Sequence, residues 1–185
     1  MLKASPDRRA VFLDRDGVLN VDSDYVYKIS DLIIPNGVAQ ATKDLVDAGY
    51  LLIVVTNQSG VARGYYTLED VERFNSELSA RILSAGGGEI EKFYICPYHE
   101  KGSVEPYNQS SNMRKPNTGM LDAAKAEFGI DFGSSYMVGD KFSDIECAVR
   151  AGVSGLQVNL KGEKHPKALG WFEDLAEASR YILRQ

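Results

Sequence analysis

Asp14 and Asp16 stand two residues apart in Asp14-Arg15-Asp16-Gly17-Val18-Leu19-Asn20, directly behind the apolar run Ala10-Val11-Phe12-Leu13. An ionised carboxylate at Asp14 can attack phosphorus and form an aspartyl-phosphate. Asp16 reaches the same reacting group if the chain turns, and Gly17 permits such a turn. Asp-Gly alone is ordinary turn chemistry; the place of the whole string behind a buried run gives it chemical meaning. Phosphoryl transfer also needs positioned donors and a cation around the equatorial oxygens. Thr56-Asn57-Gln58-Ser59-Gly60 offers a hydroxyl and a run of backbone N–H groups, and Arg114-Lys115-Pro116 offers two cations. Gly139-Asp140-Lys141-Phe142-Ser143-Asp144 adds a hard oxygen ligand of the kind Mg²⁺ prefers. Taken singly, these three segments read as a loop, a solvated charge pair and a helix cap.

The elements between them decide whether the segments meet. Ala10–Leu13, Leu51–Val55, Phe93–Ile95, Tyr136–Val138 and Val153–Val158 are short apolar runs expected to be strands. Helical periods alternate with them. Val38, Ala41, Leu45 and Ala48 form one stripe, stopped by Gly49. Leu68, Val71, Phe74, Leu78 and Ile82 form another, capped by Thr67 and closed by glycines 86–88. Met120, Leu121, Ala124 and Phe128 mark a third helix. A fourth is expected to open on the capping-box pattern Ser143–Glu146 and to end near Gly152. Trp171, Phe172, Leu175, Ala178 and Ile182 predict the face of a fifth. Such alternation predicts an α/β fold of three layers, a Rossmann-like parallel sheet with helices on both faces. In that architecture ligands bind outside the carboxyl ends of the strands, where Asp14, Thr56-Asn57 and Asp140 all fall.

Composition narrows the classes. The 185 residues are 44% hydrophobic, enough for one domain with a substantial core. With 21 basic and 26 acidic residues the net charge is -5, which argues against nucleic-acid binding through bulk charge. Two cysteines, Cys96 and Cys147, make no disulfide framework. No apolar run approaches the ~20 residues of a membrane span. The charged start, residues 1–9, leads into only four apolar residues and does not read as a secretory signal. The expectation is a single cytoplasmic domain over 1–185, a monomer, with no membrane or nucleic-acid partner. The stretch Cys96–Thr118 is polar and aperiodic, and loops of that length in a compact domain are usually functional or disordered.

Together these motifs resemble those of the haloacid-dehalogenase-like phosphohydrolases, from about residue 10 to 158. Within that superfamily the chain looks most like the D-glycero-D-manno-heptose 1,7-bisphosphate 7-phosphatases. The close points are residues 12–20 and 56–64, Cys96-Pro97, Arg114-Lys115-Pro116 and Gly119-Met120. Histidinol-phosphatases have similar motifs. The short gap between the first two motifs looks like the minimal form without a cap domain. The resemblance implies Asp14 as nucleophile and Asp16 as general acid, then base. It implies that Thr56 and Lys115 hold the transferring phosphoryl group, and that Asp14, the Asp16 carbonyl and Asp140 bind Mg²⁺. Asp22, Ser23, Asp24, Tyr25, Thr56, Asn57, Gln58, Ser59, Arg114, Lys115 and Lys141 fall where the family contacts its sugar phosphate substrate. Arg114 is expected to read the phosphate that stays behind.

One departure stands out. The family's zinc loop has four ligand positions, which here read Cys96, Tyr98, Ser111 and Met113. Only Cys96 is retained, and with His99 beside it the set falls short of the four ligands of a structural site. No structural zinc is expected, and packing of Pro97, Tyr98, Val104, Pro106 and Tyr107 is expected to hold the loop instead. The functional expectation is a Mg²⁺-dependent heptose bisphosphate phosphatase feeding nucleotide-heptose synthesis. The alternatives are a phosphatase of histidinol phosphate or another small ester, a receiver-like domain, and a non-catalytic phosphate-binding protein. Asp16 argues against the receiver, because a carboxylate at that place serves to turn a phosphoenzyme over.

Overall fold

The computed structural model describes residues 8–159 and 162–185. Residues 1–7, most of the stretch read above for a leader, lie outside the described residues. Six parallel strands form one sheet in the order β3-β2-β1-β4-β5-β6. They are β1 (Ala10–Leu13), β2 (Leu51–Asn57), β3 (Lys92–Cys96), β4 (Tyr136–Gly139), β5 (Ser154–Gln157) and β6 (Gly170–Trp171). Helices α1 (Val38–Asp47), α2 (Leu68–Ser84), α3 (Gly119–Phe128) and α4 (Phe142–Ala151) connect β1 to β5 in turn, and α5 (Leu175–Ile182) follows β6. Between β1 and α1 the only regular element is a 3-10 turn at Ile29–Asp31.

Alternation along the strands sorts the core into two layers. Val11 and Leu13 of β1, with Leu52, Val54, Val138 and Leu156, pack against Leu45, Phe74, Leu78, Leu175 and Ile182 of α1, α2 and α5. Ala10 and Phe12 point the other way and, with Ile53, Val55 and Met137, meet Met120, Leu121, Ala124 and Cys147 of α3 and α4. Strands covered on both faces carry continuous apolar runs, as β1 and β2 do. The predicted three-layer α/β fold is therefore the observed one. No helix among the described residues is long and apolar enough to cross a membrane.

Two local expectations are corrected. Trp171 and Phe172 precede the last helix: Trp171, in β6, pairs with Gln157 of β5, and the Asp174 carboxylate caps α5 by accepting from the Glu177 N–H at 2.9 Å. A two-residue strand has no periodicity to find, so its apolar residues merge with the helical stripe in the sequence. Helix α4 likewise starts earlier than the Ser143–Glu146 pattern suggests. Lys141 is its N-cap, and Asp144 reaches back to accept from the Lys141 N–H at 3.0 Å.

Strand β1 lies between β2 and β4, so the chain leaves it toward one side of the sheet and later returns on the other. The carboxyl end of β1 is thus the topological switch point, where a crevice opens.

Candidate active site

Asp14 follows β1 directly, with its N–H donating to the Val138 carbonyl at 3.0 Å. Its Oδ1 accepts from the Arg15 N–H at 2.8 Å and lies 2.9 Å from Lys115 Nζ, while Oδ2 has no donor among the described residues. Asp140 follows β4. Its Oδ1 is buried and also without a partner. Gly17 has φ +86°, and a Cβ there would lie 2.4 Å from Asp140 Oδ2. Both the left-handed turn and the close approach of the second carboxylate therefore require glycine. Carboxylate oxygens of Asp14, Asp140 and Asp144 all lie within 4.8 Å of one another.

Such crowding has electrostatic consequences. Burial raises the Asp14 carboxyl well above the usual carboxylate range; Lys115 opposes this, while Asp144, Asp16 and Asp140 add to it. Burial likewise pushes Asp140 up to about 6, against the pull of Lys141. Lys115 moves the other way: burial would lower it, but Asp14 and Asp144 raise it well above the ordinary lysine value. Its ammonium is 2.7 Å from Asp144 Oδ1, 2.9 Å from Asp14 Oδ1 and 2.7 Å from the Val55 carbonyl oxygen. Two carboxylates and one carbonyl thus surround the ammonium.

Lys115 reaches this place from the long loop because its backbone is clamped to the end of β2. Its N–H donates to Asn57 Oδ1 at 3.0 Å, and Asn57 Nδ2 donates back to its carbonyl at 3.1 Å. Thr56 is buried beside it, its Oγ1 accepting from Gln58 Nε2 at 2.8 Å. Gln58 is held in turn by the Tyr66 hydroxyl, which donates to Oε1 at 2.8 Å.

A cavity of about 250 Å³ opens above these groups, lined by Asp16, Asp22, Asp24, Tyr25, Asn57, Gln58, Ser59, Tyr66, Arg114, Lys141 and Ser143. Most of the sequence-expected substrate residues thus share one wall. Ser23 does not line the cavity, and Thr56 and Lys115 lie buried below it. Asp24 and Tyr25 have φ of 59° and 54°, so their loop holds two non-glycine residues in left-handed backbone. The Lys141 ammonium is 2.9 Å from Asp22 Oδ2. Arg114 donates to the Tyr98 carbonyl at 3.4 Å, and no carboxylate pairs with it among the described residues. Nearby Arg63 buries its Nε without an acceptor and helps burial to lower the Arg114 value.

The 96–118 loop is held by packing, as expected for Tyr98 and Tyr107, whose rings lie 5.7 Å apart. Backbone bonds hold it as well. The Ala62 carbonyl accepts from Ser103 at 2.7 Å and Val104 at 3.0 Å, and the Cys96 carbonyl accepts from Gln58 at 2.8 Å. Cys96 is fully buried with Ile53, Val55 and Met120, and burial raises its thiol.

Sequence reasoning missed two buried groups. Arg15 is fully buried against Asp16, and its only signal was its place inside the motif. Asp144 was read as a helix cap; it caps α4 and also holds Lys115.

The oxygen set fits a hard divalent cation. Asp14 Oδ2 and Asp140 Oδ1 lack donors, and the Asp16 carbonyl takes no hydrogen bond among the described residues. Asp144 differs, since one oxygen faces Lys115 and the other the Lys141 N–H.

Comparison with known proteins gives the family. A family model described as "HAD-hyrolase-like" matches residues 112–180. The D-glycero-beta-D-manno-heptose-1,7-bisphosphate 7-phosphatase of Haemophilus ducreyi is 41% identical over 164 residues, 85% of this chain and 90% of the relative. The D-glycero-alpha-D-manno-heptose-1,7-bisphosphate 7-phosphatase of Burkholderia mallei is 42% identical over 145 residues, 78% and 76% of the two chains. The crystal structure of D,D-heptose 1.7-bisphosphate phosphatase from B. bronchiseptica, complexed with magnesium and phosphate, superposes with a TM-score of 0.83 at 26% identity. It covers 95% of this chain and 98% of that one.

Proposed function

The chain belongs to the haloacid-dehalogenase-like phosphohydrolases, and from that membership we propose that it removes the 7-phosphate of D-glycero-D-manno-heptose 1,7-bisphosphate, feeding nucleotide-heptose synthesis. The observation that carries the reading is the pair Asp14 and Asp16 at the switch point. One carboxylate keeps an oxygen without a donor beneath the cavity, and the second, two residues on, lines the cavity itself.

Asp14 attacks the phosphorus of the 7-phosphate as the bond to the sugar oxygen breaks. Asp16 donates a proton to that departing oxygen, whose alkoxide would otherwise be a poor leaving group. The product of this step is an aspartyl-phosphate on Asp14 and a free sugar hydroxyl. Asp16, now a carboxylate, takes a proton from water as the water attacks phosphorus, and Asp14 leaves with its own electron pair restored and inorganic phosphate released. Thr56 and the neighbouring N–H groups other than that of Gln58, which the Cys96 carbonyl takes, bind the phosphoryl oxygens, with Lys115 holding Asp14 in line. Asp14, the Asp16 carbonyl and Asp140 would hold Mg²⁺, which when bound supplies positive charge against the phosphoryl oxygens.

Selectivity falls to the cavity wall. Asp22 and Lys141 neutralise one another, and Asp16 is paired with Arg15, which leaves Arg114 as a cation free to fork onto a second phosphate. Asp24, Tyr25 and Ser59 are the remaining candidates on that wall for the sugar. The chain acts as one domain, without a cap, on a small molecule. Two free buried cysteines suit a reducing cytoplasm.

The test is a panel of esters assayed with Mg²⁺: both anomers of the heptose bisphosphate, the matching monophosphates, histidinol phosphate and 4-nitrophenyl phosphate. The heptose bisphosphate is expected to have the highest kcat/KM. Preference for histidinol phosphate over every sugar bisphosphate would replace this reading with that one, and binding without hydrolysis of any ester would remove the enzyme.

A further inference from the structure

The Asp16 carboxylate accepts four hydrogen bonds in its ionised form, so it carries the proton for the leaving group only once the bond from Gln58, on the cavity wall, is given up, while the other three stay. Oδ1 accepts from Arg15 Nε at 3.0 Å and Asn20 Nδ2 at 2.9 Å; Oδ2 accepts from Arg15 Nη2 at 3.0 Å and Gln58 Nε2 at 2.9 Å. Two of these four donors belong to a guanidinium that meets the carboxylate as a fork, the arrangement that settles orientation as well as distance. That guanidinium is itself immobilised. Arg15 Nη1 donates to Asn75 Oδ1 at 3.1 Å, and Nη2 to the Val26 carbonyl at 2.9 Å. The Arg15 Cζ sits 4.5 Å from the centroid of the Phe74 ring. Arg15 is wholly buried, whereas the Asp16 side chain keeps 15% of its surface open toward the cavity.

A buried arginine costs desolvation, and a fold that needed only a filled core would place an apolar side chain there. Its contacts join three things: Asp16, helix α2 through Phe74 and Asn75, and the Val26 carbonyl, next to the substrate-side loop Asp22–Tyr25. We propose that Arg15 is a positioning residue, whose fork sets the direction in which Asp16 presents its carboxyl group to the leaving oxygen. The proposal rests on the acid–base role given to Asp16 above. Departure of a sugar alkoxide depends on that alignment; departure of a nitrophenolate, which needs little protonation, does not.

The experiment compares kcat and KM for the alkyl phosphate the enzyme turns over fastest with those for 4-nitrophenyl phosphate, at saturating Mg²⁺. The variants are Arg15→Met, Arg15→Lys and Asn75→Ala, with Asp16→Ala alongside and thermal unfolding recorded for each. Misalignment of a reacting group costs up to about 100-fold. Both Arg15 variants are therefore expected to lose about 10- to 100-fold in kcat on the alkyl ester, with KM within about threefold and little change on the aryl ester. Equal losses on both esters would make Arg15 purely structural and overturn the proposal. So would recovery of the wild-type ratio in Arg15→Lys, which keeps the charge but not the fork. If Arg15→Met does not fold, Asn75→Ala, which loosens the guanidinium without touching Asp16, must show the same skew in smaller measure; an unchanged ratio there overturns the proposal. Skew in Asp16→Ala without skew in the Arg15 and Asn75 variants defeats this inference alone, while its absence in Asp16→Ala defeats the acid–base reading beneath it.

Discussion

Lys115 Nζ lies 2.7 Å from Asp144 Oδ1, and each side chain is only 1% exposed. This ion pair joins a loop residue to the first turn of α4 and holds the ammonium that faces Asp14. Removing one partner of a buried pair leaves an uncompensated charge. Asp144→Asn is expected to destabilise the protein by about 3 kcal/mol, softened from the upper range because Asp14 still pairs with Lys115. Denaturant unfolding gives the figure. A midpoint equal to wild type would mean that the pair contributes nothing to stability.

Asp14→Asn keeps the shape of the side chain and removes the attacking charge. Turnover should fall by orders of magnitude, with far-UV circular dichroism and the unfolding midpoint close to wild type or above it. Near-normal activity in the purified variant would exclude Asp14 as nucleophile.

Asp140 titrates at about 6 rather than 3.8, because burial penalises its charged form. A raised folded value means that the folded state binds the proton more tightly than the unfolded chain. The associated stability is fully present below pH 3.8 and is lost as pH rises through about 6. Metal-free protein at neutral pH should therefore gain stability from Asp140→Asn, on the order of 1 kcal/mol after allowance for solvent screening. Added Mg²⁺ should raise the wild-type midpoint and not that of the variant. A destabilised metal-free variant would contradict the sign.

Activity should disappear with a chelator and return with Mg²⁺. Elemental analysis of protein purified without added metal should find well under one zinc per chain, since Cys96 is packed among apolar side chains. Stoichiometric zinc would show that His99 and another ligand rebuild the site.

Arg114→Ala should erase most of the preference for a bisphosphate over its monophosphate, leaving slow hydrolysis of a generic monophosphate nearly unchanged. Initial rates on matched pairs measure it. A preserved preference would pass the second phosphate to Arg63, whose Nε is buried without an acceptor.

The sheet and its switch point were legible because they depend on short-range chemistry. Ala10–Leu13 and Leu51–Val55 are apolar runs that only a doubly covered strand explains, and Asp14, Thr56-Asn57 and Asp140 end their strands by simple adjacency. Gly17 was equally legible, as a residue for which only a turn has use. The cap of α4 was misplaced by two residues because Ser143–Glu146 carries the usual capping residue types and Lys141–Asp144 does not, and only the backbone shows which N–H Asp144 meets. Strand β6 escaped because two residues carry no period.

Partner choice lay beyond the sequence altogether. Arg15 meets Asn75 from 60 residues away, Lys115 meets Asn57 from 58, and Lys141 meets Asp22 from 119. A charge in a sequence announces that it needs a partner or water, and burial then removes the water. Which acceptor takes its place is decided by the packing of elements far apart in the chain, so the motifs named the chemistry and the tertiary structure chose what holds each group in place.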